Sequence, residues 1–162
     1  MNDTTYIRYV NLKNDTIWGV GKFTILWNVY EDEKCDCCCS YDKIARSISN
    51  VGDNSKIAFN QFARELKNRA RNNESIEEYV SNNLYPTGDN RARISKSERE
   101  TYIAQVVNFI NSDGNDFFDG ALLAIWRIRN NMFHGIKGHS VLEEQIDLFK
   151  AMCDVLEAVI DE

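Results

Sequence analysis

Apolar residues recur at intervals of three and four along most of the chain, the spacing that places them on one side of an α-helix. The last segment shows this most clearly, with a stripe through Leu142, Ile146, Phe149, Met152, Leu156 and Ile160. A first helix is predicted from about Thr16 to Lys34, with a stripe of Phe23, Leu26, Trp27 and Tyr30. A short helix is expected over roughly 40–49.

Further helices are predicted in the middle of the chain. One begins near Ser55, and its expected inner face is Ile57, Phe59, Phe62, Ala63, Leu66 and Ala70. Helix starts are indicated by three capping boxes, in which a serine is followed three residues later by a glutamate. These are Ser75 with Glu78, Ser97 with Glu100, and Ser140 with Glu143.

The stretch from Phe117 to Phe133 differs from the others because apolar residues cover nearly every direction around its axis. A helix that is apolar all round lies at the centre of a bundle. Only one proline, Pro86, interrupts the chain, in a predicted surface loop over 85–94. The pattern therefore predicts an all-α, antiparallel helical bundle of about four to six helices, forming one domain over 1–162.

Several broad classes of protein are disfavoured by composition. The first ten residues lack the basic start and apolar run of a secretory signal, and no stretch reaches the roughly 18 apolar residues of a membrane span. The expected location is the cytoplasm, which argues against disulfides among the five cysteines. Four of these lie at Cys35, Cys37, Cys38 and Cys39, a spacing unlike paired C-x₂-C zinc sites. We therefore interpret them as a Cys-rich helix segment, with no metal and no cofactor expected.

The net charge of −6 argues at first against a nucleic-acid partner. From residue 141 onward, however, there are seven acidic residues and one lysine, so the rest of the chain is balanced at 18 against 18. Basic residues gather at Arg64, Lys67, Arg69 and Arg71, and again at Arg91, Arg93, Lys96 and Arg99. They could form a local positive surface, or simply solvated helix faces and a loop.

Candidate chemistry lies after the buried helix. Both histidines, His134 and His139, follow it, beside Arg129, Asn130 and Lys137. Phosphodiester cleavage needs a base, an acid and a cation that stabilises the phosphorane. Histidine, with a reference pKa of about 6.5, suits the first two roles, and the arginine fork suits the third. Alternatively, a histidine before a glycine at a helix end only interacts with the terminal carbonyls.

Spacing adds a restriction. In one continuous helix, Arg129 and His134 would point roughly 140° apart. Two like groups converge more naturally across a symmetric interface, so the spacing favours a two-fold dimer.

The segment Arg129-Asn130-Asn131-Met132-Phe133-His134-Gly135 resembles the motif of the HEPN superfamily. In that motif an arginine is followed by a polar residue, three further residues and a histidine. The apolar approach Ile125-Trp126-Arg127-Ile128 and the later Lys137 are also similar to the family. The specific resemblance covers about residues 120–140.

The resemblance implies a helical bundle that dimerises and brings two motifs into one cleft. It implies a metal-independent endoribonuclease, acting on tRNA or other RNA through the ribose 2′-hydroxyl, in toxin–antitoxin or anti-phage defence. His134 would be the acid–base residue, Arg129 the phosphate ligand and Asn130 the polar residue that shapes the site. Lys137, His139 and Arg127 are candidate RNA contacts. A non-catalytic HEPN module that binds a partner protein, such as an antitoxin, or a nucleotide is the alternative.

Overall fold

The fold is a bundle of helices. The computed structural model describes residues 13–48, 51–70, 73–85, 95–133 and 142–161, which contain no strand. The helices are α1 (Asn14–Cys35), α2 (Tyr41–Ser47), α3 (Asp53–Arg69), α4 (Ile76–Tyr79), α5 (Lys96–Asn111), α6 (Phe118–Phe133) and α7 (Ile146–Ile160). A π-helical turn at Val80–Leu84 continues α4. The predicted all-α bundle is confirmed.

Serine side chains cap several helix starts. Ser75 and Glu78 form the predicted box, in which the Glu78 N–H donates to Ser75 Oγ at 3.1 Å. The box predicted at Ser97 is wrong, because α5 starts two residues earlier and Ser95 forms the box with Glu98. The sequence contains two overlapping serine–glutamate pairs here, and the pair nearer the N-terminus forms the capping box. Ser140 lies outside the described residues.

The core is centred on α6, whose residues from Ala121 to Ile125 are all 0% exposed. This helix packs on α2, α3, α5 and the π-helical turn, while α7 packs between α1 and α3.

Two expectations were wrong. Phe117 precedes α6 with a φ of 56° and is 39% exposed, and Ile57 is 69% exposed rather than on the inner face of α3.

Neighbouring helices α5 and α6 run in opposite directions. Gly120 at the start of α6 lies against the late α5 residues Gln105 and Phe109. Further along α6, Arg127 reaches the ring of Tyr85, which also packs against Tyr102 near the start of α5. This pairing fixes the C-terminal end of α6 beside the π-helical turn.

Helices α1 and α7, in contrast, run in the same direction, so the antiparallel arrangement predicted for the bundle does not extend to this pair. The backbone N–H of Lys13 donates to Glu143 at 3.1 Å, and the rings of Phe23 and Phe149 lie 5.7 Å apart. Lys22 then pairs with Glu157 at 2.7 Å, a contact that raises the pKa of the lysine. Among the described helices, none combines the length and the apolar character that crossing a membrane requires.

Candidate functional site

The last turn of α6 carries Arg129 and Asn130, two residues of the predicted motif. Both side chains are half-buried, whereas residues from Ala121 to Ile125 are fully buried, so the helix emerges from the core towards its C-terminal end. Arg129 Nη1 donates to Asn130 Oδ1 at 3.1 Å. The amide thereby holds the guanidinium against the helix surface and limits its rotamers.

Trp27 of α1 provides the second support for Arg129. The guanidinium carbon lies 6.0 Å from the centroid of the Trp27 ring, which is the outer range of a cation–π contact. The indole itself is fixed, since its Nε1 donates to Glu31 Oε2 at 3.2 Å. The other oxygen of Glu31 accepts from the Cys39 backbone N–H at 3.2 Å. Helices α1 and α6, together with the turn after α1, therefore all position Arg129.

Three predicted site residues, His134, Lys137 and His139, lie outside the described residues. The described part of α6 ends at Phe133, immediately before His134. The convergence of Arg129 with His134, within one chain or across two, therefore stays a prediction.

Arg127 is placed in the interior and is only 6% exposed. Its Nε donates to the carbonyl of Leu84, at the end of the π-helical turn, and its guanidinium carbon lies 5.5 Å from the Tyr85 ring centroid. Burial raises the pKa of Tyr85, and the nearby Arg127 charge opposes that rise. This position satisfies a terminal helix carbonyl and gives no support to Arg127 as an RNA contact.

The predicted basic surface is partly used for internal contacts. Lys67 Nζ lies 3.0 Å from Asp113, and Arg99 Nη2 donates to Ser81 Oγ at 3.0 Å and to the carbonyl of Tyr85. Arg64 is exposed and Arg69 is half-buried. Among the described side chains, these contacts divide the predicted cationic surface; Arg71, Arg91 and Arg93 lie outside the described residues.

A cavity of about 240 Å³ lies beside the C-terminal half of α6. Its lining residues are Arg69, Tyr79, Asn83, Leu84, Ile128, Asn131, Met132, Gln145 and Leu148. At about 100° per residue, Ile128, Asn131 and Met132 share one side of α6, whereas Arg129 and Asn130 point away from it. The cavity therefore adjoins the motif without containing its arginine. Sequence reasoning missed it because its walls come from distant segments.

The cysteine cluster lies mostly in a turn. Only Cys35 is helical, and it is fully buried, whereas Cys37 and Cys38 are exposed and Cys39 is half-buried. The expectation of a Cys-rich helix is therefore wrong: Asp36 and Cys37 adopt left-handed conformations, with φ of 48° and 63°, that end the helix. Across the described ranges, no three His, Cys, Asp or Glu side chains are grouped to hold a metal ion.

Comparison of the chain with protein-family models, with curated proteins and with solved structures finds no match.

Proposed function

We propose that the protein is a metal-independent endoribonuclease of the HEPN type, acting as a homodimer in a toxin–antitoxin or anti-phage role. The observation that supports the proposal is that neighbouring side chains fix Arg129 near the end of the central helix, α6. Its guanidinium is oriented by Asn130 at 3.1 Å and by the Trp27 ring at 6.0 Å. The proposed proton-transfer residue, His134, follows that helix end directly.

In the proposed reaction, the histidine of one copy removes the proton from a ribose 2′-hydroxyl. The 2′-oxygen attacks the adjacent phosphorus, and the bond to the 5′-oxygen breaks. The second copy's histidine protonates the leaving oxygen, so the products are a 2′,3′-cyclic phosphate and a 5′-hydroxyl. Arg129 stabilises the negative charge that develops on the phosphorane, and its fixed position avoids a cost of reorganisation.

The test is cleavage of total tRNA and of a mixed RNA by purified protein in EDTA. Wild type is compared with His134→Ala, with Arg129→Gln and with Arg64→Gln as a charge-matched control on the exposed face of α3. We expect the loss of His134 to lower the rate by about 10²–10⁴-fold and the loss of Arg129 by about 10²–10³-fold. Arg64→Gln should retain the wild-type rate.

Circular dichroism and thermal melts on each variant establish that the protein is folded. Cleavage by His134→Ala at the wild-type rate would refute the assignment. The assignment would also be refuted if EDTA abolished the activity, or if the products carried ends other than a cyclic phosphate.

A second candidate function is a non-catalytic module that binds a partner protein, such as an antitoxin. Helix α1 favours it by exposing Ile17, Trp18 and Ile25 on one face, at 49%, 67% and 65%. Gly21 lies on the same face, and no atom from the described parts of the chain is within 4 Å of an added Cβ, so a partner could approach the backbone closely. A stable complex with a neighbouring gene product that Trp18→Glu disrupts, without RNA cleavage by folded wild type, would support this candidate.

A further inference from the structure

The cavity beside α6 combines apolar walls with polar side chains. The apolar residues Leu84, Ile128 and Leu148, all buried, line one part of it. Its other walls come from Tyr79 and Met132. Faces of this kind suit a flat, uncharged ring more than a small anion, because an anion would lose its hydration against them.

The polar groups of the cavity have unused hydrogen-bonding capacity. The Nε of Arg69 is buried and has no acceptor among the described residues. Asn131 donates its Nδ2 to the Asn83 carbonyl at 3.4 Å, which leaves its Oδ1 as an acceptor for a ligand. Gln145 immediately precedes α7, but its side chain does not cap that helix. The cavity thus offers one cationic donor and carboxamides that can both donate and accept.

This mixture of groups can match both edges of a guanine base, with the arginine on one edge and the carboxamides on the other. An arginine fork pairs with the O6 and N7 acceptors of guanine, the commonest specific contact between arginine and a base. The N1 and N2 hydrogens of guanine need acceptors, which carboxamide oxygens supply. Proteins read single-stranded RNA through such unstacked bases, packed on apolar or aromatic side chains and hydrogen-bonded at their edges.

The position of the cavity connects it to the proposed chemistry. Asn131 and Met132 line the cavity and follow Arg129 by two and three residues on the same helix. A base on one side of α6 and a phosphate on the other would be separated by about one helix diameter, roughly 10 Å. A splayed-out nucleotide next to the scissile phosphate can span that distance.

We propose that this cavity binds one unstacked guanine base of the RNA substrate, next to the bond that is cleaved. The inference rests on the proposed ribonuclease function, because it names the specificity pocket of that site. Arg69 binds the O6 and N7 edge, and Asn131 with Gln145 binds the opposite edge.

The first test measures nucleoside binding, which needs no catalysis. Guanosine, adenosine, cytidine and uridine are titrated into full-length protein and followed by NMR chemical shifts, with inorganic phosphate as a competitor. We expect guanosine to bind roughly tenfold tighter than adenosine. Arg69→Met should abolish that preference, whereas Arg64→Met, an exposed position on the same helix, should retain it. Equal binding of all nucleosides, or displacement by inorganic phosphate, overturns the proposal.

Cleavage-site mapping separates the two proposals. Wild type should cut mixed RNA with guanine enriched at one fixed position beside the cut, and Arg69→Met should cut without that enrichment. RNA cleavage with no guanine preference overturns the pocket and leaves the ribonuclease assignment standing. If wild type binds guanosine but does not cleave RNA, and Arg69→Met loses guanosine binding, the ribonuclease assignment is overturned and the pocket stands. Gln145→Leu provides a second test in case Arg69→Met does not fold, because Gln145 lies outside the regular helices. If folded Gln145→Leu binds guanosine with unchanged affinity, that result also counts against the pocket.

Discussion

Gly120 lies where the backbone of α6 packs directly against α5. A Cβ added at this position would lie 2.3 Å from the carbonyl oxygen of Gln105 and 2.8 Å from its carbonyl carbon. It would also lie 3.0 Å from the Cβ of Phe109. Two of these neighbours are backbone atoms, which no rotamer change can move, so Gly120→Ala forces the two helices apart.

The expected cost follows from two opposing effects. Alanine favours a helix over glycine by at most about 1 kcal/mol, and by less in a first turn such as this one. Overpacking in a close-packed interior costs about 1–3 kcal/mol, and moving backbone lies at the upper end. The net effect is a loss of about 2 kcal/mol in the free energy of unfolding. For a chain of this size, that lowers Tm by about 4–8 °C.

Gly21 in α1 is the matched control. It is also helical, but no atom of the described residues lies within 4 Å of an added Cβ. Gly21→Ala should therefore raise the unfolding free energy by about 0.5–1 kcal/mol through helix propensity alone. Urea unfolding followed by circular dichroism, with the m-value checked for constancy, measures both variants.

Opposite signs for the same substitution at two glycines would confirm the packing of α5 on α6. The reasoning is refuted if Gly120→Ala is neutral or stabilising. It is also refuted if both variants shift stability in the same direction.

Two further predictions concern helix capping and thiol reactivity. Ser95→Ala should lower stability by about 1 kcal/mol at pH 7. Hydrogen bonds from Ser95 lower the pKa of Glu98, so the part of this stabilisation that the ionised Glu98 contributes is present above the ordinary glutamate pKa and is lost as pH falls through the lowered value. Urea unfolding at pH 7 and pH 3 should show the difference in stability between variant and wild type narrowing, while the bond from the Glu98 N–H to Ser95 Oγ keeps that difference above zero at both pH values. A variant as stable as wild type at pH 7 would contradict the box. In native protein, iodoacetamide at pH 8 should label the exposed Cys38 well before Cys153. Cys153 is 2% exposed, and burial raises the pKa of its thiol to about 11. Peptide mass spectrometry measures the order of labelling, and equal labelling rates would refute the burial of Cys153.

The polar–apolar pattern predicted the helices well because burial follows the helical period. Phe59, Phe62 and Leu66 fall within about 60° of one another around α3 and are all fully buried. Ile57 was wrongly included in that face. At about 100° per residue it points roughly 160° away from Phe59, so the period itself already placed it on the solvent side.

Local motifs were predicted less well than the helices they start. Ser95 and Ser97 each precede a glutamate by three residues, and propensity does not distinguish them. Starting the helix at Ser95 places Arg99 where its Nη2 reaches Ser81 at 3.0 Å. The choice between the two capping boxes thus depends on the contact between Arg99 and Ser81, which are 18 residues apart, and a short stretch of sequence does not contain both.

For the candidate site, the sequence identified the residues of one helix end and missed the groups that support it. Arg129 and Asn130 are neighbours in the chain, so their pairing follows from proximity. Trp27 and Arg69 reach the same end of α6 only through the packing of α1 and α3 on the bundle. Arg127 lies in an apolar stretch of sequence. It bonds the Leu84 carbonyl, which is free to accept because a helix ends there.

The parallel packing of α1 on α7 has a consequence for synthesis on the ribosome. Phe149 covers Phe23 but follows it by 126 residues. At about 5–20 residues per second, the apolar side of the first helix waits roughly 6–25 s for its partner. Arg129 follows Trp27 by 102 residues, a delay of roughly 5–20 s, so a nascent chain cannot assemble the proposed nuclease site early. During synthesis, the apolar side of the first helix therefore stays uncovered by α7 for several seconds in every chain.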